Sequence, residues 1–312
     1  MTTPYRAADR TWLVAVAASL WGLSALWRGP LAQELPALTI VFWEHLLLSV
    51  AVSPWLVPAV RRLRTARPRT VASVVVIGAG SSALATVLFT AAFRMGDPIT
   101  PQVLQKLQPL LAVALAAVLL GERLRPVYAA FLLPALVGAW LLAFPQPTHV
   151  TVASAQAALL ALGAAALWAA GTVLGRGASA ELGFRDLAAL RFSIGLLTLG
   201  VVVALTGTSL EITAAAVPSL LLLALVPGLA AMVLYYLALG RTPASRATLA
   251  ELAFPLTAAL VGVVAFHTRP SATQWLGIAV VLASVVALAL HEQRSTTPAV
   301  RVRIPSRTGR AG

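Results

Sequence analysis

The 312-residue sequence contains no cysteine and a single lysine, Lys106. The first absence excludes disulfides, thiolate metal sites and thiol nucleophiles, and leaves the redox compartment open. The second excludes a Walker A loop, which needs Gly-Lys followed by Ser or Thr, because the lysine stands in "LQKLQ". The chain is therefore not itself an ATPase. No His-Glu-x-x-His occurs, the four histidines (45, 149, 267, 291) are scattered, and no aspartate falls in the middle of an apolar segment. These gaps remove zinc-protease and intramembrane aspartyl-protease chemistry, so the expectation is a protein that is not an enzyme and needs no cofactor or metal.

Charge is scarce as well. Only 11% of residues are charged and 59% are hydrophobic, where a soluble domain carries roughly a quarter charged residues. Runs such as "TWLVAVAASLWGLSALW" (11–27) and "SVVVIGAGSSALATVLFTAAF" (73–93) are each about long enough for a hydrocarbon core of ~30 Å. The chain reads as an all-α integral membrane protein. Its net charge of +13 does not imply nucleic acid, because the basic residues are spread over short loops between apolar runs. The first ten residues are polar, and the apolar run after them exceeds a signal-peptide core, so the first segment reads as an uncleaved helix.

Apolar windows bounded by Pro, Gly or charge predict ten transmembrane helices, near 11–30, 36–59, 71–94, 98–121, 126–144, 152–175, 183–206, 216–239, 243–266 and 271–290. The basic stretch 61–70 reads as a loop, and 291–312 as a basic, disordered tail. Placing the N-terminus in the cytoplasm assigns eighteen arginines to inner loops and three (Arg28, Arg94 and Arg269) to outer ones. That asymmetry predicts cytoplasmic termini in a cytoplasmic (plasma) membrane.

The halves resemble each other. "SLWGLSALWRG" (19–29) parallels "ALWAAGTVLGRG" (166–177), placing Trp168 147 positions after Trp21. "VFWEHLLLSV" (41–50) falls on "AALRFSIGLL" (188–197) at the same offset, and "LQKLQPLLAVAL" (104–115) matches "AELAFPLTAALV" (250–261), pairing Pro109 with Pro255. Five is odd, so two five-helix repeats must insert with opposite topology. The fold expected is a 5+5 inverted repeat, with domains 1–10 (cytoplasmic N-terminus), 11–145 (first repeat), 146–151 (external linker), 152–290 (second repeat) and 291–312 (tail). Inverted repeats are a hallmark of secondary transporters, whose substrate sites lie near the midplane.

"ALWRGPL" at the end of the first helix and "LLGERLRPVYAAFLLPALVGAWLLAF" closing the first half resemble EamA-type members of the drug/metabolite transporter superfamily, over about 11–290. The second half departs, reading "FHTRP" (266–270) where a second Gly-Glu is common. The resemblance implies small-metabolite transport, often export of amino acids or drugs, by helices around a central cavity.

Four ionisable residues lie inside apolar segments: Glu44, Lys106, Arg191 and Glu251. Each stands eight residues past a Pro or Gly that opens its helix, which is ~12 Å along it. Matching depth pairs Glu44 with Lys106 and Arg191 with Glu251. Charges in lipid cost at least ~2.5–3.5 kcal/mol on insertion scales, so they face partners or a watery cavity. Two readings stand: structural ion pairs, or groups that bind substrate or carry protons. A Lys106 that snorkels to outer water is a third. Gln102 and Gln105 extend the polar face around Lys106, Thr86 and Thr90 belong to a stripe with Ser82 and Arg94, and Trp21 and Trp168 either floor a site or pack. All ten residues are candidates for substrate binding or coupling. Gly163, Gly171 and Gly175 read as a close-packing seam. The uncharged fifth and tenth segments belong at the periphery, against lipid or a second protomer. The partners expected are a small-molecule substrate, the lipid bilayer, and protons or another coupling ion, with a homodimer as the oligomer. A channel-like facilitator or a non-transporting membrane partner protein is the alternative to a carrier.

Overall fold

A computed structural model describes residues 10–95, 99–120, 126–144, 146, 151–179, 181–239, 250–251 and 253–296. Among these, every regular element is helical. The first apolar window is two helices, α1 (Thr11–Gly22) and α2 (Ser24–Glu34), separated at Leu23. Helix α2 runs past the expected end at 30 with Pro30 inside it. An internal proline removes one backbone hydrogen bond, a loss that neighbouring helices and side chains can compensate in a membrane.

The second window departs further. Helix α3 (Ala37–Ala51) stops at Val52, and α4 (Ser53–Thr65) leaves it at 84°. Pro54 causes the corner, since its ring lacks an N–H and crowds the carbonyl of Val50. The expected loop at 61–70 is thus corrected: 61–65 complete α4, and α5 (Pro68–Val76) begins at 68. Helix α5 continues through a π-helical segment, Ile77–Leu84, into α6 (Ala85–Ala92).

The fourth window is α7 (Ile99–Leu104) and α8 (Gln108–Leu120), joined by a 3₁₀ turn at Gln105–Leu107. Next come α9 (Ala129–Ala143), α10 (Val152–Ala178) and α11 (Phe184–Thr206). Helix α12 (Ala216–Leu223) passes through a second π segment, Ala224–Ala230, into α13 (Ala231–Leu239). Helices α14 (Ala253–Ala265) and α15 (Ala272–Thr296) complete the described chain. The last helix therefore extends six residues beyond 290, into what reads as the tail; the remainder of the tail lies outside the described residues.

Four continuous helices are long and apolar enough to cross a bilayer, Pro68–Ala92, Val152–Gly175, Phe184–Thr206 and Ala216–Tyr235, and α3 with α4 makes a fifth if the bent pair counts as one span. Among the described residues, the apolar stretches Ala130–Ala143, Ala253–Ala265 and Ala272–Leu288 are shorter than a full span, the last of them within the longer helix α15. Leu197, Val201 and Leu205 are exposed in a line along α11, apolar surface that water does not favour and lipid does. This is a multi-pass membrane protein.

The duplication reappears in the packing. Helix α1 lies against α13 and α14, and α10 lies against α6 and α8; α3 packs on α11, and α9 on α15. The two π segments begin at Ile77 and Ala224, again 147 positions apart. The α9–α15 contact is close because both sides lack a side chain: a Cβ on Gly138 would sit 2.9 Å from the Gly277 carbonyl oxygen. Of the three glycines on α10, Gly171 packs so tightly on Ser81 that a Cβ would collide with it, Gly163 meets Leu88, and Gly175 meets nothing within 4 Å. The seam therefore covers Gly163 and Gly171 and ends before Gly175.

Candidate functional site

The charges inside the apolar segments fall mainly in two clusters, one buried (Arg28 and Glu44) and one half-buried (Lys106 and Glu251), and their pairing differs from that expected from depth. Glu44 on α3 takes Arg28 on α2. Nη2 of Arg28 donates to both carboxylate oxygens at 2.9 Å, and Nη1 donates to the hydroxyl of Thr90 on α6. Both charged residues are buried, Arg28 at 4% exposure and Glu44 at 6%. The guanidinium also lies 5.8 Å from the centroid of Phe89. Arg28 thus belongs to the interior and not to an outer loop. Sequence reasoning misplaced it because "RGP" looked like a helix end, whereas Pro30 stays inside α2.

Lys106 joins Glu251, the acid that depth alone gives to Arg191. Its ammonium sits 4.2 Å from the centroid of the Phe254 ring and within Coulombic reach of the Glu251 carboxylate. Tyr235 on α13 donates its hydroxyl to Oε1 of Glu251 at 2.6 Å, and the Trp21 ring of α1 lies 5.1 Å from the Tyr235 ring. Helix α1 can come this close because Gly22 has no Cβ; one there would lie 2.7 Å from the Phe254 carbonyl oxygen.

Repeat-related prolines build the backbone of this cluster. In a continuous α-helix the N–H of residue 109 would bond the carbonyl of Gln105, but Pro109 has none. The carbonyl of Gln105 accepts the N–H of Gln108 instead, which tightens 105–107 into the 3₁₀ turn bearing Lys106. Pro255 does the same to Glu251, whose carbonyl accepts the Phe254 N–H at 3.1 Å. Glu251 consequently sits just ahead of α14, where the helix dipole favours an anion.

The other candidates occupy separate places. Gln102 is fully buried on α7 and Gln105 partly so. Gln108 donates to the Thr172 hydroxyl at 3.1 Å, and Thr172 donates to the Trp168 carbonyl at 3.1 Å, tying α8 to α10 beside Trp168. The Trp168 ring stands edge-on to Phe89 at 5.2 Å. Thr86 donates back to the carbonyl of Ser82 within its own helix. Arg191 on α11 lies in Coulombic reach of His45, whose Nδ1 is 3.0 Å from the Val41 carbonyl oxygen and whose Nε2 is 3.0 Å from the Ser82 hydroxyl. Arg28, Tyr235 and Phe254 were not singled out from sequence. The Pro109–Pro255 correspondence already marked the region of Phe254; nothing local distinguishes Tyr235 from its tyrosine neighbour.

An all-helical, multi-pass architecture with charge clusters at helix breaks defines a membrane-transport class of protein. The chain belongs to the EamA-like transporter family, which it matches over residues 11–144 and again over 155–290. It is 29% identical over 257 residues to a Fusobacterium nucleatum protein named riboflavin transporter ImpX, covering 78% of this chain and 85% of that one. It is 28% identical over 209 residues to an uncharacterized transporter, YwfM, of Bacillus subtilis, covering 67% of this chain and 70% of the relative. A solved crystal structure superposes with a TM-score of 0.61 at 22% identity, over 92% of this chain and 99% of the other, and supports the fold. The family and the named relatives are transporters, not enzymes.

Proposed function

We propose that this protein is a secondary transporter of small amphipathic metabolites, built as ten spans in a 5+5 inverted repeat with both termini in the cytoplasm. Its membrane is the cytoplasmic one, and its direction is export. The observation that carries the reading is the Lys106–Glu251–Tyr235 cluster, set where two repeat-related helices are interrupted. Broken helices at the repeat interface are where carriers hold solutes. The cluster presents a cation, an acid and the aromatic rings of Trp21, Tyr235 and Phe254. A zwitterionic, amino-acid-like solute would put its carboxylate on Lys106 and its ammonium on Glu251, replacing their mutual attraction. Alternating access then needs only the Lys106–Phe254 and Tyr235–Glu251 contacts to open, and a proton can accompany the exchange.

The aromatic rings, together with the name of the Fusobacterium relative, favour a second substrate class, planar heteroaromatic solutes such as riboflavin. The test is flux into proteoliposomes for a panel of amino acids and riboflavin, with and without a pH gradient. A carrier shows saturation and counterflow. Unsaturable flux would make it a channel, and no flux for any solute would leave a non-transporting partner. Lys106→Gln with Glu251→Gln is expected to abolish saturable flux; a folded double variant that transports normally would reject the site.

A further inference from the structure

The corner between α3 and α5 carries chemistry that transport does not use. Because α4 leaves α3 at 84°, it runs nearly parallel to the membrane surface when α3 crosses the bilayer. One side of α4 is occupied: Trp55, Leu56, Ala59, Val60 and Leu63 pack against Leu182, Ala188 and other residues of the α10–α11 corner. The opposite side is open. Its first half exposes Pro54, Val57 and Pro58, and its second half exposes Arg61 and Arg64, followed by Arg67 and Arg69 at the start of α5.

The acids near this corner are already engaged. Arg62 donates to both oxygens of the buried Asp186, at 2.8 and 2.6 Å. Glu181 accepts from the Arg67 backbone N–H and from the Thr70 hydroxyl, each at 2.9 Å. Among the described residues no acid pairs with Arg61, Arg64 or Arg69. An open side that combines small apolar side chains with unpaired arginines, on a helix lying along the bilayer plane, suits the depth at which acyl chains give way to phosphates.

We propose that this face of α4 and the corner after it bind the phosphate headgroups of anionic phospholipids in the adjacent leaflet. Pro54, Val57 and Pro58 rest on the acyl boundary, and Arg61, Arg64 and Arg69 hold the phosphates. Arg67 stands apart from this set, because its guanidinium Nε lies 3.5 Å from Oε1 of Glu181. The attraction is electrostatic, so it weakens with salt.

The test uses the full-length protein in neutral detergent, with native mass spectrometry counting retained dioleoylphosphatidylglycerol against dioleoylphosphatidylcholine. The wild type is expected to prefer phosphatidylglycerol, and the preference to fall as ionic strength rises. Arg61→Gln/Arg64→Gln/Arg69→Gln is expected to bring it close to unity, each arginine contributing about fivefold. Arg61→Lys/Arg64→Lys/Arg69→Lys retains charge and is expected to retain the preference. A wild type without preference, a preference indifferent to salt, a Gln variant that keeps it or a Lys variant that loses it would each overturn the proposal. If the Gln variant does not fold, the wild-type salt titration and the Lys variant still decide.

Discussion

Arg28 and Glu44 form a closed ion pair, whereas Lys106 and Glu251 form no salt bridge and only lie within each other's field; the two arrangements differ in what they leave free. Arg28 places one nitrogen on both carboxylate oxygens of Glu44 and another on Thr90, with Phe89 beside it. A guanidinium presents fixed donors in a plane, and this arrangement engages both oxygens of its acid. Lys106 instead lies over an aromatic face, and the hydrogen bond drawn at Glu251 comes from Tyr235. An ammonium has three rotatable donors and no preferred plane. The first pair fastens α2, α3 and α6; under the proposed function the second exchanges its partner for a solute.

The comparison is most severely tested at Glu44. Glu44→Gln leaves Arg28 buried and uncompensated, and is expected to cost about 3–5 kcal/mol of stability. Thermal unfolding in detergent should show that loss, whereas Arg28→Met with Glu44→Leu should recover most of it and still transport. If the double apolar variant folds but carries nothing, the first pair is not merely a fastener.

At the second pair the expected damage is to flux. Lys106→Gln should reduce saturable transport at least tenfold in proteoliposomes, with less loss of melting temperature than Glu44→Gln. Equal destabilisation by both would erase the distinction between the clusters. Tyr235→Phe removes one hydrogen bond to a carboxylate, worth about 1.5–3 kcal/mol, and is expected to weaken substrate affinity roughly tenfold or more. A change in maximal rate without one in affinity would assign Tyr235 to the conformational step.

A smaller effect is expected at the corner between α5 and α10. The Arg67 backbone N–H is the main reason the Glu181 carboxyl titrates below its ordinary value of 4.5, with Thr70 and the Arg67 charge adding to it. A lowered acid stabilises the fold above pH 4.5 and loses that contribution as pH falls through the depressed value. Stability measured from pH 6 downward should therefore decline slightly less for Glu181→Gln than for the wild type. An identical acid profile would show that this contact, unlike the buried pairs, contributes nothing measurable.

Much of this was legible before any fold was drawn. Apolar length and scarce charge announced a membrane protein, and the offset of 147 that aligned Trp21 with Trp168 also relates the two π segments. The prolines at 109 and 255 were legible only as a repeat-related pair inside unbroken windows; that each interrupts its helix, because a missing N–H acts on its own turn, is what the structure adds. The proline at 54 acts equally locally, but its consequence was hidden: "RRLRTARPRT" has the composition of a loop, and only packing on the α10–α11 corner explains a helix there.

What the sequence determined by itself is therefore whatever depends on composition and on repetition along the chain: the membrane class, the duplicated pattern and most of the charges that lie inside apolar segments. Tertiary structure decided which charge meets which. Depth along a helix is set by counting residues, but a partner also requires that two helices face each other in rotation and approach. Those quantities arise from contacts such as Gly22 on Phe254 and Gly171 on Ser81, between residues far apart in the chain. For that reason Arg28, sixteen residues from Glu44, takes the acid that counting assigns to Lys106, and Lys106 turns to Glu251 across the repeat.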